Sequence, residues 1–158
     1  MTLPEIHKGK VSDIGNYSFA PIFDSIRLQY PYHDIWWNNV YNRTCWYLIE
    51  DSELIAIAII KIEPKNECNL TIDNDKILKI CLFKVLETHW NSGIGNLLIK
   101  AIIEFANENS LKKIYVTTNT SNQFAIGFFE HMDFQRVYSD ENNETYFLKT
   151  INHGNENE

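Results

Sequence analysis

The sequence predicts an α/β fold: a mixed, mostly antiparallel sheet of six to seven strands flanked by helices. Three observations lead there. Apolar, β-forming runs of strand length stand at 45–50, 54–62, 77–86, 113–118, 134–139 and 144–149. Between them lie stretches whose apolar residues recur at helical spacing, the longest following Gly93 and Gly95. The chain has 158 residues, enough for one sizeable core and too few for two ordinary ones. Residues 1–150 are therefore expected to form a single domain, and 151–158, rich in Asn and Glu, a frayed polar tail.

Taken in order, Ile6 to Val11 reads as a weak first strand, closed by the turn signals Ser12-Asp13 and Gly15-Asn16. Phe19, Ile22, Phe23, Ile26 and Tyr30 then recur at helical spacing, so a helix is expected from about Ser18 to Gln29, stopping before Pro31. A second short helix, His33 to Val40, carries Trp36 and Trp37. Cys45–Glu50 and Leu54–Ile62 are two strands joined by Asp51-Ser52-Glu53 as a hairpin, the second apolar on both faces. Pro64 to Asp75 is a polar excursion in which Leu70 and Ile72 suggest an edge segment. After the strand Ile77–Leu86 and the loop Glu87–Ser92, the helix to Asn109 sets Asn96, Lys100, Glu104 and Glu108 on a polar face. Leu97, Leu98, Ala101, Ile102, Phe105 and Ala106 line the other. Lys113–Thr118, a helix starting near Gln123, and a closing hairpin around Asp140–Asn143 complete the chain.

Composition excludes several classes. Apolar residues make up 44% and aromatics 13%, which marks a globular chain. The formal charge of −7 argues against nucleic acid as a partner and favours a cationic substrate over an anionic one. Cys45, Cys68 and Cys81 form no Cys-x-x-Cys pair, and Cys45 and Cys81 fall in strands, where a thiol is packing rather than nucleophile. The longest apolar run, Leu54 to Ile60, is far below a membrane span. A cytoplasmic protein with no membrane partner is expected. The five histidines show no metal-ligand spacing, so no metal is expected, and no serine sits in a nucleophile elbow. The aromatic helical hairpin suggests a homodimer.

The most informative stretch is Lys76 to Asn109. A strand runs through a polar loop into Gly93-Ile94-Gly95 and then a long helix, and a helix start presents unpaired N–H groups and a positive dipole end. Glycines there let the backbone approach a pyrophosphate closely. The third glycine of a dinucleotide fold is absent, Leu98 standing in its place, and so is the Gly-Lys-Ser/Thr of a phosphate loop.

Val85, Trp90-Asn91-Ser92-Gly93-Ile94-Gly95, Leu98 and Ile99 resemble the coenzyme A-binding signature of the GCN5-related N-acetyltransferases. Asn122, Ala125, Ile126, Phe129, Glu130 and Phe134 resemble a second motif of that family, in the right order and at the right spacing. The resemblance implies an acyl-CoA N-acyltransferase-like fold and transfer of an acetyl group from acetyl-CoA to an amine acceptor, a small molecule or a protein amino group, by direct attack in a ternary complex. It also implies that Phe83, Lys84 and Val85 pair through their backbone with the pantetheine arm, the Val85 N–H facing the thioester carbonyl. Asn91, Ser92, Gly93, Ile94, Gly95 and Asn96 would hold the pyrophosphate. Asn122 would contact the pantetheine arm, although it serves equally well as N-cap of its helix. Phe129 would line the cofactor site.

A base is also required, because an alkyl amine of pKa near 10.4 is neutral in only about one part in 10^3.4 at pH 7, a handicap of roughly 4.6 kcal/mol. Glu87, Glu50 and Glu53 are the candidates; spacing fixes none of them, each also reads as a surface carboxylate, and Glu87, directly after the strand, is the choice. Three departures from the family pattern stand out. Trp90 replaces the usual Arg or Gln, Phe129 replaces a tyrosine that would protonate the leaving thiolate, and Asp133 replaces a glycine, a mild change because aspartate tolerates positive φ. The first two motivate an alternative: a non-catalytic acyl-CoA-binding or regulatory module.

Overall fold

A computed structural model describes residues 4–151. Seven strands form one sheet: β1 (His7–Lys10), β2 (Thr44–Glu50), β3 (Glu53–Pro64), β4 (Lys76–Val85), β5 (Lys113–Asn119), β6 (Gln135–Ser139) and β7 (Glu144–Thr150). Their order is β1-β2-β3-β4-β5-β7-β6. The β4–β5 pair is parallel, while β1–β2, β2–β3, β5–β7 and β6–β7 are antiparallel. Four α-helices accompany them: α1 (Asp24–Gln29), α2 (His33–Asn39), α3 (Ile94–Glu108) and α4 (Gln123–His131). Contacts divide the chain into two compact units, residues 1–60 with 82–101, and residues 61–81 with 102–158. The expected tail, 151–158, lies outside the described residues except for Ile151.

In the first unit, β2 and β3 pair with Glu50 opposite Glu53, so only Asp51 and Ser52 make the turn. Both have positive φ, 52° and 64°, the geometry whose twist matches that of paired strands. From Leu54 to Ile60 every residue of β3 is buried, as expected of a strand apolar on both faces. The helix expected from Ser18 is broken instead. Pro21 opens a 3-10 turn, Pro21–Phe23, and α1 begins only at Asp24, because proline lacks the N–H that a continuing helix needs. Phe19 is consequently left exposed, while Ile22 and Phe23 reach the core. Cys45 is buried at the start of β2, and burial pushes its thiol up to about 12, the behaviour of a packing residue rather than a nucleophile.

In the second unit, Leu70 and Ile72 form no edge strand. They pack with Ile77, Tyr115 and Tyr146 into a cluster under the excursion that follows β3. Glu63 is buried beside them and is satisfied by Lys61, whose Nζ is 3.0 Å away, and by the Tyr115 hydroxyl, which donates to it. Both long helices close alike. Ser110 and Asp133 take φ of 56° and 65°, the N–H of Leu111 donates to Ala106, and that of Phe134 donates to Phe129. Asp133 thus adopts the positive φ anticipated for the residue standing in place of glycine. Among the described residues no helix is long and apolar enough to cross a membrane.

Core and rim should respond differently to truncation. Urea unfolding of Ile57→Ala, at a fully buried site in β3, should show a loss of about 2–5 kcal/mol. Ile62→Ala, five residues further along the strand and 41% exposed, should lose under about 1 kcal/mol.

Candidate active site

The first unit gathers Phe83, Lys84, Val85, Glu87 and Asn91 to Asn96 in one strand, turn and helix start. Where β4 ends, the Leu86 N–H donates to the Ile55 carbonyl at 2.8 Å and ties the chain to β3. Glu87–His89 then form a single 3-10 turn. The Trp90 indole Nε1 donates back to the Val85 carbonyl at 2.9 Å. Trp90, one of the three departures from the sequence pattern, therefore braces the strand end.

Asn91 and Gly93 take positive φ, 64° and 89°, and bring the chain to the axis of α3. The first helical bond runs from the Leu97 N–H to the Gly93 carbonyl at 3.1 Å. By position, the N–H groups of Ile94, Gly95 and Asn96 have no intrahelical acceptor. Along the 15 residues of α3, Ile94, Leu98, Ile99, Ile102 and Ala106 are buried, while Asn96, Lys100, Glu104 and Glu108 are exposed.

Burial along β4 changes part-way. Ile77, Leu78 and Ile80 are buried, and these positions carry the parallel register with β5: Leu78 with Ile114, Lys79 with Tyr115, Ile80 with Val116. Cys81 to Leu86 are all half-buried, though Leu82, Phe83, Val85 and Leu86 are as apolar as the buried part. An apolar strand end left partly open, followed through one short turn by a row of helix-terminal donors, suits a ligand with an amide-bearing arm and a phosphate. Coenzyme A has both.

Lys84 donates from Nζ to Ser25 Oγ at 2.9 Å, reaching α1. Burial lowers its pKa, and the nearby Glu87 carboxylate opposes that shift. Glu87 itself is exposed. Glu50, at the end of β2, lies 2.8 Å from His89 Nε2, a contact that sequence reasoning missed because 39 residues separate the partners. Only the hairpin register and the turn after β4 bring them together.

The second unit holds the remaining two site residues. Asn122 caps α4, its Oδ1 accepting from the Ala125 N–H at 3.1 Å, so one of its two expected roles is occupied. Phe129 is buried against Phe134 and Phe147. Among the described residues no group of three or more His, Cys, Asp or Glu could hold a metal ion.

The fold, a seven-stranded, mostly antiparallel sheet flanked by helices, is of the N-acetyltransferase class, and solved structures share it. NAA60 of Arabidopsis thaliana, in complex with a bisubstrate analogue, is 21% identical, with 94% of this chain and 99% of that one covered and a TM-score of 0.64. The PaiA N-acetyltransferase of Thermoplasma acidophilum, in complex with coenzyme A, is 14% identical, with 96% and 100% covered and a TM-score of 0.72. An IAA acetyltransferase of Bacillus cereus is 14% identical, with 93% and 99% covered and a TM-score of 0.66. No curated protein sequence matches the chain. The model of the acetyltransferase (GNAT) family matches residues 16–134, about three-quarters of it, and the chain belongs to that family. It is an acetyl-CoA-dependent acetyltransferase.

The lowered pKa of Lys84 has a signed consequence. Where the unfolded chain holds the lysine proton and the folded chain does not, stability rises with pH. Comparing wild type with Lys84→Met, the difference in unfolding free energy should move in favour of wild type as pH rises towards the ordinary lysine value of 10.5. Urea titrations at successive alkaline pH values check it; a difference independent of pH contradicts the burial of this ammonium.

Proposed function

We propose that the acetyl group of acetyl-CoA is transferred to an amine by direct attack at the open end of β4, with residues 1–150 acting as one catalytic domain. The observation that carries this is the half-buried apolar stretch from Leu82 to Leu86 next to the N–H groups of Ile94, Gly95 and Asn96. The backbone of Phe83, Lys84 and Val85 extends a strand along which pantetheine amides pair as an added strand would. The turn Asn91-Ser92-Gly93 and the first residues of α3, Ile94 to Asn96, cradle the pyrophosphate through N–H donors and the helix dipole.

The Val85 N–H points its dipole at the thioester carbonyl and stabilises the negative charge that grows on oxygen as the amine attacks. Loss of one such donor costs about 2.7–4 kcal/mol where it has been measured. Indole bracing of the Val85 carbonyl fixes the next peptide and, through it, the direction of that strand end. Phe129 has no proton to donate, so the thiolate leaves without an acid at that position; a thiol of pKa near 8.5 is a fair leaving group. The acidic surface favours an acceptor that arrives as a cation.

Calorimetry with acetyl-CoA and a thiol-release assay over a panel of amines test the reading. Saturating acetyl-CoA at about a hundredfold its Kd should add about 2.7 kcal/mol to the unfolding free energy. Gly93→Val forces a branched side chain to φ of 89° and should weaken acetyl-CoA binding by about tenfold or more. A wild type that neither binds acetyl-CoA nor is stabilised by it would refute the proposal.

A further inference from the structure

We propose that Glu50, held in place by His89, is the base that receives the proton of the attacking amine; the inference rests on the transfer reaction proposed above and supplies its proton acceptor. His89 Nε2 and Glu50 Oε1 are 2.8 Å apart, and His89 Nδ1 lies 3.0 Å from Thr88 Oγ1. A ring nitrogen that faces a carboxylate, which only accepts, is the donor, so Nε2 donates to Glu50, Nδ1 bonds the Thr88 hydroxyl, and both ring nitrogens are used. Imidazole therefore has no lone pair left for a substrate. The carboxylate does: Oε1 is taken, but among the described residues no hydrogen bond reaches Oε2, and the side chain is 43% exposed.

Backbone bonds place this carboxylate beside the end of β4. Glu50 pairs with Glu53, and Ile55, two residues along β3, accepts the Leu86 N–H at 2.8 Å. Two strand residues span about 7 Å, so Glu50 lies one strand spacing and two residues from the partner of Leu86, the neighbour of Val85. The contact with His89 closes the same loop from the other side. Glu87 lacks this support: it is exposed, and among the described residues no hydrogen bond orients its carboxylate.

Proton and electron traffic balance without another reagent. The acceptor ammonium gives one proton to Glu50, which later returns it to solvent. The freed nitrogen lone pair forms the C–N bond at the acetyl carbon, the C–S bond breaks with its electrons on sulfur, and the remaining surplus nitrogen proton ends on the thiolate. His89 is a positioning residue that fixes the carboxylate without touching the amine.

Glu50→Gln preserves shape and removes basicity. With the full chain, acetyl-CoA and a panel of tyramine, spermidine and a Ser-Ala peptide, kcat of Glu50→Gln should fall by about 10²-fold or more, with acetyl-CoA affinity and melting temperature unchanged. His89→Gln should lower kcat by about tenfold, with the KM for amine unchanged. For methoxyamine, already neutral at pH 7, the Glu50→Gln deficit should shrink to within about tenfold. An unaltered kcat, or an equal deficit on methoxyamine and the alkyl amines, overturns the assignment, as does a wild type that binds acetyl-CoA and turns over no amine. Failure of the wild type to bind acetyl-CoA overturns the transfer reading itself.

Discussion

Where β4 ends, the chain has eight residues, 86–93, in which to leave a sheet and start a helix, and the strand end must stay extended while it does so. Two hydrogen bonds impose this, from the Leu86 N–H to Ile55 and from the Trp90 indole to the Val85 carbonyl. Each is worth only about 1 kcal/mol in isolation. Their importance is directional. They tie a half-buried apolar strand end to β3 on one side and to the turn that leads into α3 on the other.

The helix start then supplies what the strand cannot. Asn91 and Gly93 spend positive φ to aim the chain, so three N–H groups converge at the first turn of a helix whose other face is anchored by Ile94, Leu98, Ile99 and Ile102. A dipole end is useful to an anion only if it does not move, and burial of that apolar face keeps it still. The same economy extends to the turn between strand and helix, where His89, its other ring nitrogen on the Thr88 hydroxyl, reaches Glu50 at the end of β2. Family membership says that acetyl-CoA is used; the proposed site assigns that use to these residues of the chain.

Much of the fold was legible because it follows from short-range rules. The hairpin after Glu50, the apolar run of β3, the split faces of α3 and the tolerance of Asp133 for positive φ each follow from neighbouring residues, although the turn is one residue shorter than the expected Asp51-Ser52-Glu53 link. Reading failed where a single residue overrode a pattern, or where burial came from afar. Pro21 cut the helix that Phe19 to Tyr30 suggested. Leu70 and Ile72, which alternate like a strand, are buried by Tyr115 and Tyr146 rather than by a strand partner. At the site, the glycine turn could be read directly, whereas the Glu50–His89 pair depends on hairpin register, which spacing does not encode.

Amide chemical shifts followed by NMR as coenzyme A is titrated into the labelled protein test the central claim most directly, because the claim concerns particular backbone N–H groups. The account predicts the largest changes at Val85 and across Asn91 to Asn96, saturating together with a single affinity. Saturable changes confined to residues remote from β4 and the start of α3, or no changes at all, would contradict it.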